Sequence, residues 1–114
     1  MARMIGALHS VTGLGLLWVG YLSATERLPR NGLVGMRTRA TMASDDAWFA
    51  AHRAGAWSLL IAGLILFGVG VWLVFVGPSD ATTTAAAMSS AVLIIVVVVI
   101  GGLQADRVAR GTSE

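Results

Sequence analysis

The side chains that could do chemistry in this chain are few, and most of them are arginines. The sequence has eight Arg, six Asp or Glu, two His and no Cys. Without cysteine there is no thiolate nucleophile and no sulfur ligand for a metal, and His9 and His52 alone are a poor zinc site. No pair of carboxylates lies in an apolar stretch, and no nucleophile–base spacing or phosphate-binding loop occurs. We therefore expect no enzymatic activity, no cofactor and no metal site.

The composition excludes several further classes of protein. Of the 114 residues, 56% are hydrophobic and only 12% are charged, with a net charge of +2. Soluble domains carry about 25% charged residues. Because small domains expose much of their surface, a water-soluble chain of this length could not hide so many apolar side chains. We exclude a soluble enzyme, a disordered chain and a nucleic-acid binder.

The elements that hold the polar residues are three uncharged apolar blocks at about 4–23, 54–76 and 85–103. A helix needs about 20 apolar residues to cross a bilayer core of about 30 Å, and the blocks lack the alternation of barrel strands. The first block could also be a signal peptide, but its apolar region exceeds the usual length of about 7–15 residues. The sequence predicts an all-α membrane protein with three transmembrane helices in one domain, 1–114.

The arginines predict the orientation of these helices. Five lie in the loop 24–53, two follow the third span, and only Arg3 precedes the first. The short link 77–84 contains no Arg. Since Arg-rich segments stay inside, we expect the N-terminus outside a bacterial cytoplasmic membrane and the loop and C-terminus in the cytoplasm.

The loop 24–53 contains its own helix start. Ser44 is a good N-cap, and Asp45 and Asp46 suit the positive end of the helix dipole. We expect one helix from about Asp45 to Val76, ended by Gly77, and a third helix capped by a threonine among 82–84. Trp48, Ala51, His52 and Gly55 would share one side of the second helix. Six glycines in the first two spans favour close helix packing: Gly13, Gly15, Gly20, Gly63, Gly68 and Gly70.

Three polar side chains each have two interpretations. Arg37 could bind a lipid phosphate, a peptide carboxylate or an acidic partner, or it could pair with Asp45 or Asp46 and fold the loop onto the second helix. His52 could be a pH-sensitive contact, but we favour an interfacial hydrogen-bonding role. His9 lies within a span, where an ionisable group can be functional, but we expect a local partner such as Ser10 or Thr12.

The loop resembles the signature of the SdpI family of small bacterial integral membrane proteins. The family pattern reads roughly N-x3-G-I-R-T-x-W-T-x2-S-x3-W-x3-H-R-x-G. Met36 replaces the Ile of this pattern, and Ala40 stands where many members have Trp. The matching residues are Asn31, Gly35, Arg37, Thr38, Thr41, Ser44, Trp48, His52, Arg53 and Gly55.

The resemblance implies a function that the residues alone do not. The founding member, which is longer and has extra spans, protects its host from a secreted killing peptide and holds a repressor at the membrane. By resemblance we expect an interaction protein for peptide-toxin immunity and signalling, with the signature residues, Asn31 to Arg53, as its binding loop. The expected partners are membrane lipids and another membrane protein, a secreted peptide or a cytoplasmic regulator. Two alternatives stay open: an accessory or assembly subunit of a larger membrane complex, and a small oligomeric transporter.

Overall fold

The computed structural model describes residues 1–113 and contains three helices: α1 (Ala2–Ala24), α2 (Asp45–Val76) and α3 (Asp80–Ser113). Each is long and apolar enough to cross a membrane. The described residues form no strand. The predicted all-α fold with three membrane-spanning helices is confirmed, and the helices extend beyond the uncharged blocks at several ends.

Both ends of α2 are defined by capping interactions with residues next to them in the chain. The Ser44 hydroxyl accepts a hydrogen bond from the Ala47 N–H at 3.0 Å, and Asp45 and Asp46 occupy the first turn. At the other end Gly77 adopts the left-handed conformation (φ 59°) and donates its N–H to the Leu73 carbonyl. The predicted bounds and the predicted cap are therefore confirmed.

The start of α3 differs from the expectation. Ser79, rather than a threonine, caps the helix, because its hydroxyl accepts the Thr82 N–H at 3.2 Å. Asp80 already lies in the first turn, so the three threonines belong to the helix itself. The prediction of a threonine cap was wrong by one turn, since Ser79 precedes the threonines and has the same capping chemistry.

The helix α2 lies between the other two. Both α1 and α3 pack along it, and they scarcely touch each other. At Gly13 of α1 a Cβ atom would lie 2.5 Å from the Phe67 backbone nitrogen and 2.8 Å from the Gly63 carbonyl oxygen. Helices in lipid have no hydrophobic driving force for association, so they depend on the van der Waals packing that such a close approach allows. Gly15 and Gly68 instead face open space, so the packing role predicted for them was wrong.

The chain ends mark two poles of a molecule 52 × 22 × 19 Å in extent. The N-terminal amine lies 3.9 Å from Asp80, which places the N-terminus beside the link between α2 and α3. At the other pole the loop between α1 and α2 reaches the last turns of α3, where Thr38 contacts Asp106. The loop and the C-terminal part of α3 therefore share one pole, as three spans require.

Candidate functional site

The signature loop, residues 25–44, is anchored to α2 by a buried tryptophan. Trp48 is fully buried, and its indole Nε1–H donates to the Leu28 carbonyl at 2.7 Å. Leu28 is itself buried. Because an indole N–H needs a partner when buried, this bond fixes the first part of the loop over the first turns of α2.

His52 fixes the middle of the loop. Its ring stacks on that of Trp48, with centroids 4.0 Å apart, and it is only 1% exposed. The Nδ1 atom lies 2.8 Å from the Trp48 carbonyl oxygen, and Nε2 accepts the Met36 N–H at 2.8 Å. One nitrogen must therefore donate while the other accepts, which defines a neutral imidazole with the proton on Nδ1. The hydrogen-bonding role predicted for His52 agrees with this geometry.

Gly35 allows the loop to approach the histidine. Its φ is +114°, which L side chains rarely adopt. A Cβ atom here would lie 2.6 Å from the Nε2 atom of His52 and 3.1 Å from the Trp48 ring. Only glycine tolerates both this backbone conformation and this close contact. The loop can therefore approach His52 here only because residue 35 is glycine.

Asn31 organises the exposed turn that precedes Gly35. Its Oδ1 accepts the N–H groups of Leu33 at 2.9 Å and Val34 at 2.7 Å, and its Nδ2 donates to the Pro29 carbonyl at 2.8 Å. One side chain thus replaces the hydrogen bonds that a strand or helix would supply. The Asn31 side chain therefore builds this turn.

Two threonines close the second half of the loop and join it to α3. Thr41 is fully buried, accepts the Thr38 N–H at 2.7 Å and lies 2.8 Å from the Met36 carbonyl. The Thr38 hydroxyl donates to Asp106 Oδ1 at 2.6 Å. Asp106 also accepts a bond from Arg110 Nε at 2.7 Å. The loop is therefore held by both α2 and α3.

The arginine pairing differs from the expectation. Arg30, not Arg37, pairs with Asp45, at 3.2 Å between Nε and Oδ1. Arg37 donates to the Gly32 carbonyl, and within residues 1–113 it contacts no carboxylate. Of the two interpretations of Arg37, the aspartate pair was wrong, because the bend at Gly35 separates Arg37 from the start of α2 and the earlier turn brings Arg30 there.

Arg53 closes the loop from the other side by binding Glu26, which has a positive φ of 58°. Both side chains are about half exposed, so this pair contributes little to stability by itself. Sequence reasoning missed Glu26 and Asp106 as partners of the loop. Their opposite charge to nearby arginines was a signal for Glu26, but nothing in the spacing pointed to Asp106 on a distant helix.

The signature residues therefore fall into a buried group and an exposed group. Thr41, Trp48 and His52 are buried and hold the loop in place, whereas Arg37, Thr38 and Arg53 are exposed. The tip of the loop also exposes apolar groups, with Leu33 88% and Val34 42% exposed. The outer surface of the loop is thus a mixed apolar and cationic surface on a fixed backbone.

His9 lies far from the loop, in α1. Its Nδ1 is 3.0 Å from the Ile5 carbonyl, and its Nε2 is 3.5 Å from the Ser90 hydroxyl of α3. The expected partners Ser10 and Thr12 are not the ones used. Ser10 instead donates to the Gly6 carbonyl at 2.8 Å.

These features define a class: a multi-pass membrane protein of three helices with an ordered loop between the first two. The model of the SdpI/YfhL protein family matches residues 27–103, which include most of the signature loop, all of α2 and much of α3. The chain belongs to the SdpI/YfhL protein family. Neither the curated proteins nor the solved structures contain a significant match.

Proposed function

We propose that this chain is an SdpI-like membrane interaction protein that confers immunity to a secreted peptide and signals by holding a regulator at the membrane. In this proposal the signature loop faces the cytoplasm and its outer surface binds the partner. The protein would lie in the bacterial cytoplasmic membrane with its N-terminus outside.

The observation that carries this proposal is the fixed conformation of the loop. The Trp48–His52 pair and the Met36 N–H bond hold a segment without helix or strand in one arrangement. A preorganised loop loses less conformational entropy on binding, and ordered loops on a rigid scaffold are where binding residues concentrate. The exposed Leu33 and Arg37 give this surface an apolar anchor and a cation.

The test is protection of living cells. A strain that lacks the gene is challenged with culture medium from toxin-secreting cells of the same strain, with the wild-type protein or a variant restored. We expect the deletion to sensitise the cells and the wild type to restore growth. Arg37→Ala and Leu33→Asn should reduce protection, and both proteins should still accumulate in the membrane.

Arg39→Ala is the matched control, because Arg39 is an exposed arginine of the same loop with no hydrogen bond to any residue that the structure describes. It should protect as well as the wild type. Unchanged growth of the deletion strain in this medium would refute the immunity function. Equal protection by all variants would refute the proposal that the outer surface of the loop binds the partner.

A second candidate, an accessory subunit of a larger complex, has one observation in its favour. Because α1 and α3 scarcely touch, an apolar cleft of about 350 Å³ lies between them, lined by residues such as Leu8, Leu66 and Ile95. A helix of another membrane protein would fill such a cleft. Purification in mild detergent should then recover one larger complex at fixed stoichiometry, and a monodisperse free chain would contradict this candidate.

A further inference from the structure

A groove of about 440 Å³ lies between the signature loop and the last turns of α3. Its loop side is formed by Met36, Arg37 and Thr38. Its other side is formed by α3, with apolar residues in the membrane span and charged residues after it. The groove is thus polar at one end and apolar at the other, which is the pattern of a site for an amphiphile.

The polar end has an unbalanced positive charge. Arg37 contacts only the Gly32 carbonyl and has no carboxylate partner in the described chain. Arg110 uses Nε to bind Asp106, whose other oxygen accepts the Thr38 hydroxyl. Two arginines and one aspartate therefore line this end of the groove, and the remaining N–H groups of Arg37 have no carboxylate partner in residues 1–113. Phosphate oxygens suit the guanidinium fork because they accept two parallel N–H groups.

The apolar end is a notch in α3. Val98, Val99 and Leu103 line it, within the uncharged block predicted to cross the membrane. Between them, a Cβ atom on Gly102 would meet no heavy atom within 4 Å. The missing side chain leaves open space on the surface of α3 at this position, within the block predicted to cross the membrane.

We propose that this groove binds one anionic phospholipid, with its phosphate on Arg37 and an acyl chain along α3 over Gly102. Two features favour this ligand over a peptide. The polar end of the groove is cationic, and the apolar end lies within the block predicted to cross the membrane. A phospholipid places its phosphate at the membrane surface and its acyl chain in the membrane interior, which matches both ends. The site would make the loop conformation sensitive to the lipid composition of the membrane. The proposal does not depend on immunity, since it concerns lipid alone.

The test measures lipid retained by the purified full-length chain. The protein is placed in nanodiscs containing phosphatidylglycerol and phosphatidylcholine with identical acyl chains, and bound lipid is counted by native mass spectrometry. We expect selective retention of phosphatidylglycerol. Arg37→Ala should lower its apparent affinity roughly fivefold, the effect of one arginine at an anionic surface, and Arg39→Ala should not.

A second pair of variants tests the notch. Gly102→Leu adds a side chain where a Cβ atom meets no heavy atom within 4 Å and should also reduce retention, while Gly68→Leu, at another open glycine, should leave it unchanged. Absence of any preference for phosphatidylglycerol would overturn the proposal, as would equal losses for Arg37→Ala and Arg39→Ala, which indicate only diffuse surface charge. Crosslinking of a secreted peptide at position 102, without lipid selectivity, would assign the groove to a peptide and also overturn it.

Discussion

The Nε2 atom of His52 accepts the backbone N–H of Met36 at 2.8 Å, which joins the first turns of α2 to the middle of the loop that precedes them. The ring is buried and its Nδ1 faces the Trp48 carbonyl, so both nitrogens are occupied. Arg37, the next residue after Met36, is thereby held on the outer surface. The conformation of the exposed loop thus depends on a histidine that is itself inaccessible.

His52→Ala should release the loop without unfolding the helices. The variant leaves the Met36 N–H without its acceptor and the Trp48 ring without its stacking partner. A buried hydrogen-bonding group that loses its partner costs about 1–3 kcal/mol, so we expect trypsin to cleave after Arg37 and Arg39 roughly tenfold faster or more. The measured quantity is the rate at which fragments from cleavage after Arg37 or Arg39 appear in mild detergent.

His9→Ala serves as the control for this experiment, because His9 is hydrogen-bonded at the other pole. Its cleavage rate in the loop should match that of the wild type. If His52→Ala is cleaved no faster than His9→Ala, the histidine does not hold the loop.

Trp48→Phe should lower the thermal stability, because it removes the indole N–H donor and leaves a smaller aromatic ring. The Leu28 carbonyl then loses its 2.7 Å partner. One neutral hydrogen bond contributes about 1 kcal/mol, so we expect the midpoint of thermal unfolding in detergent to fall by a few degrees. Trp72→Phe, at a site 45% exposed on the surface of α2, is the control. Identical midpoints for the two variants would contradict the anchoring role of Trp48.

Gly13→Ala should weaken the packing of α1 on α2. The added methyl group would lie 2.5 Å from the Phe67 backbone nitrogen, so the helices must move apart. Overpacking of this kind costs about 1–3 kcal/mol, measurable as earlier unfolding in mixed micelles with increasing SDS. Gly15→Ala meets open space and should be neutral. Because alanine is also the better helix former, equal loss in both variants would mean that the close approach of α1 and α2 at Gly13 does not decide the effect.

The orientation in the membrane can be read from single cysteines, because the chain has none of its own. Ala81→Cys lies beside the link between α2 and α3, whereas Leu33→Cys and Gly111→Cys lie at the loop pole, and all three positions are exposed. In intact cells a membrane-impermeant maleimide should label only Ala81→Cys, since the proposed topology places the Arg-rich pole in the cytoplasm. Labelling of Leu33→Cys and not of Ala81→Cys would contradict the proposed topology and indicate the opposite orientation.

The sequence by itself determined the features that depend on neighbours in the chain. The length and charge of the apolar blocks define three spans, and Ser44, Asp45 and Gly77 define the bounds of α2 through local capping. The spacing of Trp48 and His52 places them on one side of a helix. Such effects act over one or two turns, so they can be read without knowledge of the fold.

Only the tertiary structure decided which groups meet across elements. The sequence offered Arg37 for Asp45, but the bend at Gly35 sends Arg37 outward and leaves Arg30 as the partner. Gly13 and Gly15 are chemically identical, and only the position of α2 makes one a contact and leaves the other in open space. The bond from Thr38 to Asp106 spans 68 residues. Contacts of this kind depend on helix orientation and on the path of the loop, which no local pattern of residues encodes.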